Sequence, residues 1–170
     1  RGDNALTFTD RSGRSLIGTS HGTSLLESGC EFCGACIDIC PTGALVERKY
    51  KWDKADKTVK TICPHCPVGC EMNLEIDKKN RLIRAIPDRK ANANKGQGCF
   101  KGKFGLDFVN SPKRITKAYI RDEEELAEST ILKAIDFTSG KLSQYSGTEF
   151  ALIASPRGTN EDNYIAQKFS

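Results

Sequence analysis

The sequence predicts an α+β fold in three successive segments, and three observations predict it. Eight cysteines fall into two sets of different spacing between Cys30 and Cys99. A strictly alternating stretch follows Cys70 and turns back on itself as a hairpin would. From Ile115 onward the cysteines are gone, and a helical pattern, a short apolar run and a second helical pattern take their place.

The elements follow in chain order. Leu6-Thr7-Phe8-Thr9 reads as a strand, Asp10-Arg11-Ser12-Gly13-Arg14 as a turn, and Ser15-Leu16-Ile17-Gly18-Thr19 as the returning strand. His21 lies in a polar Ser/Gly/Thr stretch and reads as an exposed loop histidine, with a ligand role as the alternative. Around the first cysteine set, Phe32, Ile37, Ile39, Ala44, Leu45 and Val46 supply an apolar shell, and Gly34 would let backbone approach sulfur. Residues 47–60 form a charged connector carrying Lys49, Lys51, Lys54, Lys57 and Lys60, in which Trp52 is expected to pack between two modules. Basic residues around an aromatic can also mark a nucleic-acid surface.

Beyond Cys70, Met72, Leu74 and Ile76 alternate with Asn73, Glu75 and Asp77. Lys78-Lys79-Asn80 makes the turn, and Leu82-Ile83-Arg84-Ala85-Ile86 returns. Residues 88–98 are polar and contain Gly96 and Gly98, as a loop approaching a cofactor should. Residues 101–110 read as a short helix burying Phe104, Phe108 and Val109. Ser129 is expected to cap a helix through Ile131, Leu132, Ile135 and Leu142. Phe150-Ala151-Leu152-Ile153-Ala154 has the continuous apolar character of a strand buried on both faces. Ser155-Pro156-Arg157-Gly158-Thr159 is the loop after it, and Thr159 or Asn160 caps a final helix through Tyr164, Ile165 and Phe169. Strand, polar loop and helix together offer phosphate groups a helix N-terminus, although no GxGxxG is present.

The first cysteine set is Cys30-x2-Cys33-x2-Cys36-x3-Cys40-Pro41; the second is Cys63-x2-Cys66-x3-Cys70 with Cys99 after a long gap. Gaps of two, two and three ending in Cys-Pro are the bacterial ferredoxin spacing for iron–sulfur ligation. All-thiolate zinc is the competing reading, and zinc ribbons do not call for that spacing. Four disulfides would suit a short secreted scaffold with a sparse core, whereas 38% of this 170-residue chain is hydrophobic. Free thiolates imply a reducing compartment, and the expected location is cytoplasmic. The formal charge of +4 falls to roughly zero once two clusters of about −2 each are bound, which gives a nucleic-acid role little support. No run of about 18 or more apolar residues occurs, so no membrane span is expected.

In two-cluster ferredoxins the cysteine before proline serves the other cluster. By that rule Cys30, Cys33 and Cys36 hold one cluster and need a fourth ligand from elsewhere, while Cys40 belongs to a neighbouring one. Cys63, Cys66, Cys70 and Cys99 form a self-contained set. The chain opens on Arg1-Gly2 and closes within a helical pattern, so a longer protein is expected.

The segment Thr61-Ile62-Cys63-Pro64-His65-Cys66-Pro67-Val68-Gly69-Cys70, together with Cys99-Phe100-Lys101-Gly102, resembles the N-terminal [4Fe-4S] domain of the molybdopterin oxidoreductases. Gly105-Leu106-Asp107-Phe108-Val109-Asn110-Ser111-Pro112-Lys113-Arg114-Ile115 and Arg157-Gly158-Thr159-Asn160-Glu161-Asp162-Asn163-Tyr164-Ile165-Ala166-Gln167-Lys168-Phe169 look more specifically like formate dehydrogenase catalytic subunits. Leu25-Leu26-Glu27-Ser28-Gly29-Cys30 to Cys40-Pro41-Thr42-Gly43-Ala44-Leu45 is similar to the ferredoxin-like insert of multi-cluster members. Ile131 departs from the family, which often has tryptophan there.

The resemblance implies four parts: residues 1–47 as the C-terminal half of a ferredoxin-like two-cluster domain, 48–60 as a linker, 61–114 as the [4Fe-4S] domain with its hairpin, and 115–170 as the start of an α/β pterin-binding domain. It implies molybdenum or tungsten held by two pyranopterin guanine dinucleotides in the full-length protein. Lys101 would sit between cluster and pterin, where the residue pattern alone reads as an exposed lysine at a helix start, and Arg157, Thr159 and Asn160 would approach the cofactor. The implied function is electron transfer in a formate dehydrogenase, with iron–sulfur, flavin or hydrogenase modules as partners. The catalytic metal ligand is expected outside these residues. The alternatives are a non-catalytic electron wire like the large iron–sulfur subunit of respiratory complex I, and a stand-alone ferredoxin-like carrier.

Overall fold

A computed structural model describes residues 4–10 and 12–170; Arg11 of the expected first turn, and Arg1 and Gly2, lie outside the described residues. The described residues are α+β, with three small antiparallel sheets and short helices, and the chain divides into two compact units, residues 1–107 and 108–170. Among the described residues no helix is long and apolar enough to cross a membrane.

The first unit opens with a minimal pair, β1 (Thr7–Phe8) against β2 (Ile17–Gly18), shorter than the alternation suggested. His21 is exposed in a single 3-10 turn after it. A one-turn helix, α1 (Ala35–Ile39), lies inside the first cysteine set behind Gly34, whose φ of 74° is left-handed. Ile39, expected in the apolar shell, is exposed.

The centre of the unit is a three-stranded sheet of order β3-β4-β5: β3 (Lys57–Ile62), β4 (Glu71–Ile76) and β5 (Leu82–Pro87). The expected hairpin is therefore present, and a third strand joins it from residues read as connector, because Lys57 to Ile62 find a complete row of backbone partners along β4. The hairpin turn is organised by Asp77, whose Oδ1 accepts from the N–H groups of Lys79 (2.9 Å) and Arg81 (2.8 Å). These backbone donors, first that of Arg81, hold the Asp77 carboxyl below its ordinary value.

The connector is fixed by arginine rather than by Trp52. Arg84 on β5 donates to the carbonyl oxygens of Tyr50 (3.2 Å) and Asp53 (3.3 Å), while its Nε pairs with Glu75. The Trp52 ring is 84% exposed, with Lys51 Nζ 4.8 Å from its centroid. Carbonyl groups of a polar segment are satisfied by a guanidinium fork without any need for the ring.

The apolar core joins Met72, Leu82, Ala85 and Leu106 with Cys63, and Cys70 and Leu74 pack against it. Helix α2 (Phe100–Phe104) and a 3-10 turn (Asp107–Asn110) replace the single helix expected over 101–110. The buried residues there are Gly102, Lys103 and Leu106; Phe108 and Val109 are exposed. The break follows from Gly105, the α2 C-cap, whose N–H returns to the Lys101 carbonyl at 2.8 Å.

The second unit holds a hairpin that alternation did not reveal, β6 (Ala118–Asp122) with β7 (Glu125–Ser129), then α3 (Ile131–Leu142) and α4 (Asn160–Phe169). Ser129 ends β7, and Thr130 caps α3 by accepting from Lys133 N–H at 3.3 Å. Thr159 caps α4 in a reciprocal box: its Oγ1 accepts from Asp162 N–H (3.1 Å) and Asp162 Oδ2 accepts from Thr159 N–H (2.9 Å). The strand expected at 150–154 does not form; Ile153 is 96% exposed. A strand buried on both faces needs flanking strands and covering helices, and within this unit the other two strands pair with each other.

Candidate metal centres

The second cysteine set is assembled by the core. Cys63 N–H donates to the Cys70 carbonyl at 2.8 Å, closing the loop that carries Cys66, and Gly69 turns that loop with a φ of 70°. Cys99 is brought back by Asn94, a buried side chain that grips both ends of its surroundings. Asn94 Oδ1 accepts from Glu71 N–H (2.9 Å), and its Nδ2 donates to the Glu71 (3.3 Å) and Gln97 (2.8 Å) carbonyls. Glu71 follows Cys70 directly, so this amide clamp ties the Cys99 loop to the start of β4. Tight packing of Gly98 on Pro87, where a Cβ would lie 2.8 Å from Cγ, adds a second restraint.

Cys63, Cys66, Cys70 and Cys99 line one cavity of about 220 Å³, with Met72, Gly98, Lys101 and Gly102 among its walls. The Cys70 thiol is pushed up by burial first and then by charge on Cys63, Cys66 and Cys99. Those three thiols therefore act on Cys70 at electrostatic range, in an apolar surround.

Cys30, Cys33 and Cys36 line a separate cavity of about 530 Å³, walled by Phe32, Ala44, Leu45, Val46 and Phe104 among others. Burial pushes the Cys36 thiol up; the backbone N–H groups of Ile37 and Cys36 pull it down, and Cys30 and Cys33 push it up again. Gly34 lies on the same cavity wall, and a Cβ there would meet Lys103 Cγ at 2.7 Å. Cys40 lies outside this cavity wall. Its thiol is drawn down to about 7 by the backbone N–H of Leu45 first, then by the Thr42 hydroxyl and the N–H groups of Thr42 and Ala44.

Among the described residues no three or more His, Cys, Asp or Glu side chains converge closely enough to hold a single metal ion. The fit to a polynuclear cluster rests instead on the donor chemistry, soft thiolates throughout, and on the cavities they surround.

Residues 56–111 match the family profile described as "Molybdopterin oxidoreductase Fe4S4 domain", and residues 25–46 match "4Fe-4S binding domain". Residues 56–111 are a molybdopterin oxidoreductase Fe4S4 domain. The chain is 31% identical over 170 residues (98% of this chain, 20% of the relative) to NADPH-Fe(3+) oxidoreductase subunit alpha of Geobacter sulfurreducens. It is 40% identical over 114 residues (67% and 17%) to F420-dependent formate dehydrogenase 2 subunit alpha of Methanococcus maripaludis. It is 35% identical over 146 residues (83% and 17%) to an NADH-quinone oxidoreductase subunit of Rhizobium meliloti. The chain spans about a fifth of the length of these curated relatives.

The Fe4S4 domain thus coincides with the sheet, the Asn94 clamp and the four-thiol cavity, and the 4Fe-4S binding domain with the three-thiol cavity. Lys101 lies on the wall of the Fe4S4 cavity. Arg157, Thr159 and Asn160 share one loop and helix start in the second unit, where the Thr159 oxygen is engaged in the cap. Spacing and periodicity single out neither Asn94 nor Lys103. An asparagine in a polar loop and a lysine near Lys101 carry no pattern that separates them from solvated neighbours.

The thiol environments predict an order of reactivity in the cluster-free chain. Thiolate is the reactive form, so alkylation of Cys40 should rise as pH passes about 7, while Cys36 and Cys70 should need more alkaline conditions than an ordinary thiol. Mass mapping of labelled peptides across pH reads this directly; equal labelling of Cys40 and Cys70 near neutrality would refute it.

Proposed function

We propose that this chain is the electron-transfer segment of a molybdenum- or tungsten-dependent formate dehydrogenase, exchanging electrons between a pterin-bound metal and partner redox subunits. The observation that carries the reading is the four-thiol cavity with Lys101 on its wall, in a domain of the molybdopterin oxidoreductase family. Cys63, Cys66, Cys70 and Cys99 hold one [4Fe-4S] cluster. Cys30, Cys33 and Cys36 hold three corners of a second, whose fourth ligand comes from elsewhere. Cys40 serves a neighbouring cluster, a role supported by its place outside the three-thiol wall and by the donors that favour its thiolate.

When bound, the clusters supply one-electron carriers, so the electron pair released as formate becomes carbon dioxide and a proton departs in single steps. Lys101 places an ammonium where added negative charge is offset and where a pterin can accept a hydrogen bond. Arg157, Thr159 and Asn160 form the cofactor-facing set at the start of α4, Thr159 offering its O–H proton because its oxygen caps the helix. Residues 1–47 are the C-terminal half of a ferredoxin-like two-cluster domain, residues 61–114 the [4Fe-4S] domain, and residues 115–170 open the pterin-binding α/β domain. No residue of the chain is assigned to formate chemistry itself. The partners are iron–sulfur, flavin or hydrogenase modules in a reducing cytoplasm; two of the relatives are named as subunits of NADPH- and NADH-linked oxidoreductases.

A non-catalytic electron wire is the second reading, favoured by a match to the NADH-quinone oxidoreductase subunit that runs longer than the match to the formate dehydrogenase. Metal analysis of the purified full-length protein decides between them. Bound molybdenum or tungsten is the expected result, and iron without either metal would sink the dehydrogenase reading in favour of the wire.

A further inference from the structure

Lys103 sits on α2, four residues beyond Cys99, with a side chain only 1% exposed. A buried ammonium persists only where opposite charge meets it. Its Nζ lies 2.5 Å from Asp38 Oδ1 and 3.0 Å from Glu47 Oε1. The Asp38 contact is a hydrogen bond; the Glu47 contact is a charge pairing off hydrogen-bond alignment. Both carboxylates belong to the other thiol segment. Asp38 is in α1 between Cys36 and Cys40, and Glu47 follows the cavity wall formed by Ala44, Leu45 and Val46.

The aliphatic stem of Lys103 packs with equal closeness. A Cβ at Gly34 would lie 2.7 Å from Lys103 Cγ, 3.1 Å from its Cε and 3.1 Å from Phe104 Cζ. Phe104 itself lines the three-thiol cavity. On the opposite side, a Cβ at Gly102 would meet Cys63 Sγ at 3.5 Å. Three consecutive residues of one helical turn therefore lie against both thiol segments: Gly102 lines the second cavity, Phe104 lines the first, and Lys103 packs on Gly34 beside it.

We propose that Lys103 is a positioning residue that fixes the separation and orientation of the two iron–sulfur centres through the Asp38–Lys103–Glu47 triad. The inference rests on the ligand assignment proposed above. Electronic and magnetic coupling between two centres falls steeply with separation, so a loosened triad weakens coupling even when each centre stays intact. Arg89 Nη2 also donates to the Asp38 carbonyl at 3.1 Å, a second tie to the first segment that does not involve the ammonium. A lysine that only filled the interior would change stability and leave the coupling per bound cluster untouched.

The test uses the full-length holoprotein carrying Lys103→Met, with iron content measured beside the magnetic interaction between the reduced clusters in electron paramagnetic resonance. Unchanged iron with a weakened or lost interaction is the expected result; unchanged iron with the wild-type interaction overturns the inference. If Lys103→Met does not accumulate with both clusters, Glu47→Gln, which keeps the Asp38–Lys103 bond, takes its place. A weakened interaction there supports the proposal and a wild-type one overturns it. A wild-type holoprotein without two interacting clusters overturns the ligand assignment, and the role of Lys103 with it.

Discussion

Cys99→Ser is expected to cost the full-length protein one cluster, about four iron atoms per chain, while iron held by the Cys30, Cys33 and Cys36 set remains. Cys99 reaches the cavity from a loop clamped by Asn94, and the other cysteines on its wall, Cys63, Cys66 and Cys70, are already members of the proposed ligand set. Serine at the same place offers a hard hydroxyl that keeps its proton at neutral pH, a poor substitute for a soft thiolate. Iron quantification and the spectrum of the reduced protein read the loss. Full iron retention in the variant would exclude Cys99 as a ligand.

Gly34→Ala is expected to destabilise the first unit by roughly 2–6 kcal/mol, the sum of left-handed backbone strain and overpacking. Its φ of 74° suits glycine, and the added methyl would fall 2.7 Å from Lys103 Cγ and 3.1 Å from the Phe104 ring. The stem of Lys103 cannot swing aside freely, because its amine is tied to Asp38 and Glu47. Denaturant unfolding of the variant beside the parent measures the cost, and a change below about 1 kcal/mol would mean the interior yields there.

The cysteines were legible because ligand spacing is a local property; Cys63, Cys66, Cys70 and Cys99 line one cavity, and Cys30, Cys33 and Cys36 another. The hairpin from Met72 to Ile86 was legible because alternation marks a half-buried strand. What stayed hidden depends on distant partners. Lys57 to Lys60 read as a solvated run until β4 supplies their backbone bonds, and Lys103 reads as surface until Asp38 and Glu47 enclose it. The apolar run at 150–154 illustrates the reverse, since its composition asks for neighbouring strands that its own unit does not provide.

Of the four thiols in the Fe4S4 cavity, Cys63 is also a member of the apolar core around Met72, and Cys70 packs against that core. Binding of an iron–sulfur cluster at these thiols would therefore be coupled to the packing of this core. The Cys99→Ser chain should betray this as faster proteolysis, a protein discarded by the cell for want of its inorganic core.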